Sequence, residues 1–194
     1  MDQSLFNDAL IFARDAHNGV TRKKSSVPFL IHPMEVATIV ATISESQELL
    51  AAALLHDTVE DAEVSLEEIK ERFGEKVYEL VKSETEDKHR DMLPEDSWQL
   101  RKEESLEELK NSNSLEIKIL WLADKLANMR SFYRAYIKKG SSLWEDYHQK
   151  DPSKQAWYYR KVLEYTNELS ETMAYKELEQ LVNLVFKGEW DVNN

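Results

Sequence analysis

The chain contains 194 residues, which is long enough for one domain with an apolar core and too short for two large domains. It carries a formal charge of -12, so it lacks the excess of Lys and Arg that non-specific binding to DNA, RNA or an anionic membrane requires. A small anionic ligand stays compatible with this charge if basic residues gather locally. We therefore expect no nucleic-acid partner and no membrane partner.

The amino-acid composition also indicates the fold class and the cellular compartment. Only four Gly and four Pro occur, and Leu, Ala, Glu and Lys are abundant, which predicts an all-α fold. Cys is absent, which excludes disulfides and thiolate metal sites and fits a reducing cytoplasm. The first residues lack the features of a signal peptide, and no apolar run approaches the roughly 20 residues that span a bilayer. The sequence predicts a soluble, cytoplasmic protein.

The first predicted helix covers residues 4–16, where apolar side chains recur at helical spacing. Gly19 is placed to end it. His17 stands at this end, and as a lone histidine it is interpreted as a packing or capping residue rather than a ligand.

Residues 21–28 form a small polar loop in which three cations follow one another, Arg22, Lys23 and Lys24. Such a loop is usually only solvated, but its position changes that expectation. His32 and Pro33 open the next predicted helix, because Pro suits the first helical position. His32 therefore lies at a helix start beside the basic loop.

The apolar run of residues 49–55 predicts a buried helix that continues into His56. Residues four apart share one face of a helix, which stacks His56 over Glu60 and Asp57 over Asp61. Burying an imidazole and three carboxylates beside Ala and Leu costs free energy unless a partner charge or a metal ion compensates. This stretch is interpreted as half of a metal site.

Capping boxes mark the starts of two further helices, at Ser44 with Gln47 and at Ser65 with Glu68. Gly74 is placed to end the second of them.

Residues 84–96 are polar and predict an exposed loop, after which helical periodicity resumes at Trp98. A break at residues 111–113 precedes a helix predicted from Leu115 to about Lys138. On this helix Asp124 continues the apolar, inward-facing stripe. The middle of a helix needs no capping residue, so we favour a role as a metal ligand for Asp124.

Gly140 is predicted to end this long helix, and Asp151 starts the C-terminal helices, which run to about Phe186. Residues 1–139 are predicted to form the core of the fold. Residues 140–194 are predicted to pack on that core as additional helices of the same domain.

Taken together, four predicted ligands offer two nitrogens and two carboxylate groups, His32, His56, Asp57 and Asp124. A mixed set of this kind suits a divalent transition ion such as Mn, Fe or Zn and is less natural for calcium, which prefers all-oxygen sites.

Five segments of the sequence read as motifs. They are A-H-N-G-V-T-R-K (16–23), P-F-L-I-H-P (28–33), H-D-T-V-E-D (56–61), T-E-D-K (85–88) and L-A-D-K-L-A-N-M-R (122–130). Over roughly residues 5–135 these segments resemble motifs of the HD superfamily of metal-dependent phosphohydrolases. They are similar to the hydrolase domain of the long Rel/SpoT stringent-response enzymes and to the stand-alone small alarmone hydrolases. Val20 and Phe29 stand where that family carries Gln and Tyr, and Ser131 stands where the long enzymes often carry Thr.

The resemblance implies a compact HD-domain bundle of helices and hydrolysis of the alarmone (p)ppGpp at its 3′ diphosphate. The products would be pyrophosphate and GDP or GTP, and the metal would usually be manganese. The implied metal ligands are His32, His56, Asp57 and Asp124.

Further roles follow from the same resemblance. Glu60 and Asp61 would orient and deprotonate the attacking water. A polyphosphate nucleotide needs cations beside the metal, which gives the basic loop a reason to exist in an acidic protein. The implied substrate-binding residues are Arg22, Lys23, Lys24, Asn128 and Ser131.

Two other hypotheses about the function stay open. One keeps the metal and changes the substrate to another purine nucleotide, such as an adenine alarmone, or to a simpler nucleoside phosphate. The other is a catalytically silent nucleotide-binding module, although such a module has no need of Glu60 and Asp61 beside an anionic ligand. A homo-oligomer is compatible with each of these readings.

Overall fold

The computed structural model describes residues 4–22, 25–62, 64–89 and 91–187. Within them the chain is all-α, as predicted, and the one β contact is an isolated antiparallel bridge between Thr21 and Pro28. Two 3-10 helices cover Gly140–Asp146 and Asn167–Leu169. The α-helices are α1 (Ser4–Ala16), α2 (Ile31–Ala41), α3 (Gln47–Leu55), α4 (Thr58–Asp61), α5 (Leu66–Phe73), α6 (Glu75–Lys82), α7 (Pro94–Asn111), α8 (Leu115–Lys139), α9 (Pro152–Tyr165) and α10 (Met173–Val185).

Side chains and glycines at helix ends explain where several helices begin and stop. The Ser65 hydroxyl accepts a hydrogen bond from the Glu68 N–H at 3.1 Å and caps α5. Gly74 ends α5 with φ at 87°, a conformation that glycine adopts without steric cost. Asp151 caps α9 by accepting from the Ser153 N–H at 2.9 Å. These predicted ends are confirmed.

Two predicted helix starts are wrong. The cap of α3 is Ser46, whose hydroxyl accepts from the Leu49 N–H, whereas the Ser44 hydroxyl accepts from the Ser46 N–H in the preceding turn. Helix α7 begins at Pro94, before Trp98. Pro has no N–H to leave unsatisfied at this position, and acidic residues in the first turn interact well with the helix dipole.

The chain forms two compact units. Unit 1 consists of Met1–Glu86 and Ser114–Asp124. Helices α1, α2 and α6 pack against α3, in which residues 51–55 are all buried. The first part of α8 belongs to this unit, and there Trp121 Nε1 donates to the Ser83 carbonyl at 3.0 Å. The central position of α3 fits its sequence, because a helix that is apolar on all sides is normally buried.

Unit 2 consists of Asp87–Asn113 and Lys125–Asn194. In it α9 packs against α7 and α10. The ring of Phe132 lies 5.6, 4.8 and 5.8 Å from the rings of Trp144, Tyr147 and Tyr159, respectively. Arg130 and Glu177 join α8 to α10 through two parallel hydrogen bonds of 2.6 and 2.7 Å. This unit is therefore built on an aromatic core.

None of the helices in the described part of the chain combines the length and the hydropathy that crossing a membrane requires. The grouping of residues 1–139 and 140–194 into one domain stays a prediction.

Candidate metal centre

Four ionisable side chains converge inside unit 1. Nε2 of His32 lies 3.0 Å from Oδ1 of Asp124 and 3.3 Å from Oδ2 of Asp57. Nε2 of His56 lies 3.2 Å from the same Asp57 oxygen and 3.6 Å from the same Asp124 oxygen. The four predicted ligands therefore direct two nitrogens and two oxygens toward one point.

Each of these side chains comes from a different backbone environment. His32 lies in the first turn of α2, and Asp124 lies on α8. His56 follows the last residue of α3, and Asp57 precedes the first residue of α4. The prediction of one continuous helix through residues 56–61 is therefore wrong.

The interruption has a local cause. At Asp57 the backbone has φ −92° and ψ −5°, in the region typical of turns. The Thr58 hydroxyl donates to the Leu55 carbonyl at 2.7 Å and satisfies an acceptor left over at the end of α3. The Asp61 N–H donates to the Asp57 carbonyl at 3.0 Å, so these two residues still lie one helical turn apart, as predicted.

The ring of His56 is held in a defined orientation. Its Nδ1 lies 2.8 Å from the Ala53 carbonyl, which can only accept a hydrogen bond. The proton of the neutral ring therefore belongs on Nδ1, and Nε2 presents its lone pair to the carboxylates. A backbone carbonyl of this kind is a common support for a metal-binding histidine.

Burial and charge act against each other on the pKa of each group. Burial lowers the pKa of His32, but Asp124 and Asp57 outweigh it and raise that pKa above its usual value. The same balance raises the pKa of His56 well above its usual value. Burial raises the pKa of Asp57, but the two imidazoles hold it well below its ordinary range. The cluster thus favours positive charge at its centre, carried either by ring protons or by a cation.

The donor set fits a metal ion. Ligand atoms of His32, His56 and Asp124 lie within 4.8 Å of one another, and all three residues are buried. Asp57 adds an oxygen next to both ring nitrogens. Two imidazoles and two carboxylates could hold a divalent transition ion, which would repay the cost of burying these groups.

Two further carboxylates stand beside this cluster on α4. Glu60 is half-buried, and its Oε1 accepts a hydrogen bond of 2.6 Å from the backbone N–H of Glu86. Asp61 is exposed. The backbone at residue 86 therefore holds the Glu60 carboxylate in place, and the predicted catalytic roles of Glu60 and Asp61 stay predictions.

The basic loop reaches the same region through Arg22. The Arg22 N–H donates to the Val27 carbonyl at 2.9 Å next to the bridge between Thr21 and Pro28. The guanidinium lies 5.5 Å from the ring centre of Phe29, whose ring lies 5.9 Å from that of His32. Lys23 and Lys24 lie outside the described residues.

With this geometry established, comparisons with known proteins become informative. Residues 9–146 match the family model described as HD domain. The chain belongs to the HD domain family. The match includes all four residues of the buried cluster.

Curated relatives of this HD domain chain are much longer than it is. The chain is 47% identical over 74 residues to guanosine-3′,5′-bis(diphosphate) 3′-pyrophosphohydrolase of Aquifex aeolicus, covering 38% of this chain and 10% of the relative. It is 36% identical over 126 residues to the protein of the same name from Vibrio cholerae, covering 62% of this chain and 17% of the relative. The chain thus spans less than a fifth of these relatives' length.

A solved structure has a length similar to that of this HD domain chain. It is a metazoan ortholog of SpoT that hydrolyzes ppGpp, and it matches with a TM-score of 0.71 at 26% identity. The match covers 96% of each chain. The similarity therefore extends through both units of this chain.

The remaining predicted residues of the HD domain lie in unit 2. Asn128 and Ser131 follow Asp124 on α8 and are half-buried. The Ser131 hydroxyl donates to the Ala127 carbonyl at 3.3 Å and accepts from Arg134 at 3.0 Å. Their assignment to substrate binding stays a prediction.

His17, which is interpreted from the sequence as a packing or capping residue, is buried in the structure. Its side chain is only 3% exposed, and its ring centre lies 4.7 Å from that of Phe29. Burial lowers the pKa of His17, although the charges of Asp57 and Asp61 oppose that effect. The ring is therefore neutral at neutral pH. In the sequence His17 lies directly after α1 and shortly before the basic loop. This position does not reveal its burial, which depends on tertiary packing.

Proposed function

We propose that this chain is a metal-dependent (p)ppGpp 3′-pyrophosphohydrolase, which releases pyrophosphate and leaves GDP or GTP. One observation carries the proposal. Four metal-type ligands converge beside Glu60 and Asp61. They do so in a chain whose structural match to a protein that hydrolyzes ppGpp covers 96% of each chain. The names of the Aquifex and Vibrio relatives support the same reaction.

In this proposal the metal is held by His32, His56, Asp57 and Asp124, and manganese is the proposed ion. A bound divalent ion would lower the pKa of water and withdraw charge from phosphoryl oxygens. The chain's own contribution is orientation, since the Ala53 carbonyl fixes the His56 ring, and burial shields His32, His56 and Asp124 from bulk water.

The reaction transfers the 3′ pyrophosphoryl group to water. The oxygen of a water molecule attacks the phosphorus next to the ribose 3′ oxygen, and the bond between that phosphorus and the 3′ oxygen breaks. Glu60 or Asp61 accepts the proton from the water, and the 3′ oxygen gains a proton as it leaves. The hydrogen bond from the Glu86 N–H keeps the Glu60 carboxylate in a fixed position for this role.

Substrate binding is assigned to cationic side chains of the basic loop and to polar side chains of α8. The guanidinium of Arg22 suits a diphosphate, because it presents several N–H donors in a planar array. Lys23 and Lys24 would add charge from the same loop. Asn128 and Ser131 are proposed to contact the ribose and phosphate groups.

The direct test incubates the purified chain with manganese and a panel of nucleotides and measures pyrophosphate release. The panel contains ppGpp, pppGpp, the corresponding adenine alarmone, GTP and GDP. We expect release from ppGpp and pppGpp. Preference for the adenine alarmone would replace the guanine assignment, and the absence of turnover with every nucleotide would favour a silent binding module.

A matched pair of variants makes this test specific to the metal centre. Asp124→Asn removes a buried carboxylate charge from the cluster. Asp151→Asn makes the same change at the cap of α9, where Asn is also a good capping residue. We expect the first variant to abolish pyrophosphate release and the second to keep it. Equal activity of the two variants would contradict the proposed centre.

A further inference from the structure

His17 is a buried polar residue that the proposed mechanism does not use. Its side chain lies one residue beyond α1 and is 3% exposed. Among the described residues, no group forms a hydrogen bond with its Nδ1 or its Nε2. Leaving a buried polar atom without a partner typically costs about 1–3 kcal/mol.

His56 differs from His17 in its surroundings. The Nδ1 of His56 is satisfied by a backbone carbonyl at 2.8 Å, and its Nε2, which also forms no hydrogen bond, lies 3.2 Å from an Asp57 oxygen. His17 has neither kind of partner. An apolar ring would pack against Phe29 equally well without this cost, so packing alone does not explain a histidine here.

The surroundings of His17 indicate what its nitrogens could bind. Its ring contacts Phe29, and the other neighbour of Phe29 is the ring of His32 in the cluster. The carboxylates of Asp57 and Asp61 lie close enough to act electrostatically on His17. The ring therefore lies beside the cluster and within electrostatic range of Asp61, a candidate proton acceptor.

We propose that His17 is a positioning residue of the hydrolytic site, where its ring hydrogen-bonds the water molecule that reacts beside Asp61. This inference rests on the proposed function. A neutral imidazole has one donor and one acceptor, and water matches both, whereas carboxylate and phosphate oxygens only accept. Water also fits between an imidazole and two carboxylates that it does not contact directly.

The test compares His17→Phe with a control on the preceding helix α1, Phe12→Leu. Phenylalanine keeps the aromatic contact with Phe29 and removes both nitrogens. The ring of Phe12 packs against that of Phe73, which is not a member of the cluster. For His17→Phe we expect kcat for ppGpp to fall about 10- to 100-fold with KM within about twofold of wild type. We expect the metal-free protein to keep or raise its Tm, since a buried group without a partner is removed.

For the control we expect a lower Tm and an unchanged kcat. His17→Asn and His17→Gln each return one hydrogen-bonding group near one ring nitrogen, and one of them should recover part of kcat. A His17→Phe variant with wild-type kcat, or with a raised KM and unchanged kcat, overturns the inference.

Failure of the proposed function and failure of the inference about His17 give different experimental results. If wild-type protein releases no pyrophosphate from ppGpp, the proposed function fails. The Tm of metal-free His17→Phe then tests the inference by itself. A fall in Tm as large as that of Phe12→Leu assigns His17 to packing, whereas an unchanged or raised Tm supports a site role. If wild type is active and His17→Phe is equally active, only the inference about His17 fails.

Discussion

Each unit of this chain buries a cluster of ring-bearing side chains, and the two clusters differ in chemistry. In unit 1 the rings are imidazoles, and they alternate with the carboxylates of Asp57 and Asp124. In unit 2 the rings are aromatic and surround Phe132 and Trp144, with Trp144 stacked on Phe186 at 5.2 Å. The ionisable groups of the cluster in unit 1 are well solvated by water, whereas the aromatic rings of the cluster in unit 2 are hydrophobic.

The difference separates function from stability. Burying ionisable groups costs free energy that their mutual attraction repays only in part, so the cluster of unit 1 is a poor choice for stability alone. Burying aromatic rings stabilises the folded state directly. Substitutions in unit 1 should therefore affect chemistry first, and substitutions in the aromatic core should affect folding first.

The largest effect is expected from His56→Ala. This change removes one of the two ring nitrogens at the centre of the cluster. We expect loss of manganese binding in titration calorimetry and a fall in turnover of at least about 100-fold, since even an outer support of a metal ligand is often worth that much. His148→Ala serves as a control outside the cluster and should bind metal normally. Metal binding by His56→Ala with wild-type affinity would contradict the ligand assignment.

Glu60→Gln separates the metal from the proton acceptor. Glutamine keeps an oxygen that accepts the hydrogen bond from the Glu86 N–H, so the local structure should persist. It cannot accept the proton from water at neutral pH, and turnover should fall about 10²- to 10⁴-fold while manganese affinity is kept. Steady-state kinetics and calorimetry on one preparation give both values. A fully active Glu60→Gln would move the base to Asp61.

Phe186→Ala tests whether the aromatic core of unit 2 stabilises the fold. Phe186 is fully buried and stacks on Trp144, so truncation should lower the free energy of unfolding by about 3–5 kcal/mol. Leu184→Ala is a nearby control, because Leu184 is 43% exposed and should change stability by no more than about 0.5 kcal/mol. Urea unfolding measures both. A small effect at Phe186 would mean that the aromatic core does not stabilise the fold.

Local chemistry explains which structural features the sequence predicts. A helix cap joins atoms only two or three residues apart, so Ser65, Gly74 and Asp151 are recognisable from their neighbours alone. The inward position of Asp124 also follows from helical spacing, because its own helix is long and regular. Family motifs then suggest which remote segments belong together.

Contacts between remote segments explain what the sequence does not reveal. The hydrogen bond between Glu60 and Glu86 joins residues 26 positions apart and uses a backbone donor that any residue type would provide. The unpaired nitrogens of His17 depend on how α1 and Phe29 pack. The break at Asp57 has no Gly or Pro to announce it. In the first two cases tertiary packing decides the outcome, whereas at Asp57 the break accompanies a local hydrogen bond from the Thr58 hydroxyl to the Leu55 carbonyl.

The smallest effect is expected at His89, in the segment that follows Glu86. Its Nε2 lies 2.7 Å from a Glu104 oxygen, and this hydrogen bond raises the pKa of His89. A raised pKa in the folded state means that the contact stabilises the protein when the ring is protonated, below its unfolded pKa of about 6.5, and that this contribution is lost as pH rises through the folded pKa.

We therefore expect Glu104→Gln to lower the urea midpoint slightly at about pH 6 and to leave it unchanged at about pH 9, because exposed ion pairs contribute little. Glu103→Gln changes a neighbouring carboxylate that accepts a hydrogen bond from Gln99 and should show no such pH dependence. An equal shift for Glu104→Gln at both pH values would mean that the contact acts without the charge on His89. In that case the carboxylate would be acting as an ordinary hydrogen-bond acceptor, and the protonation of His89 would have no part in holding this segment of unit 2.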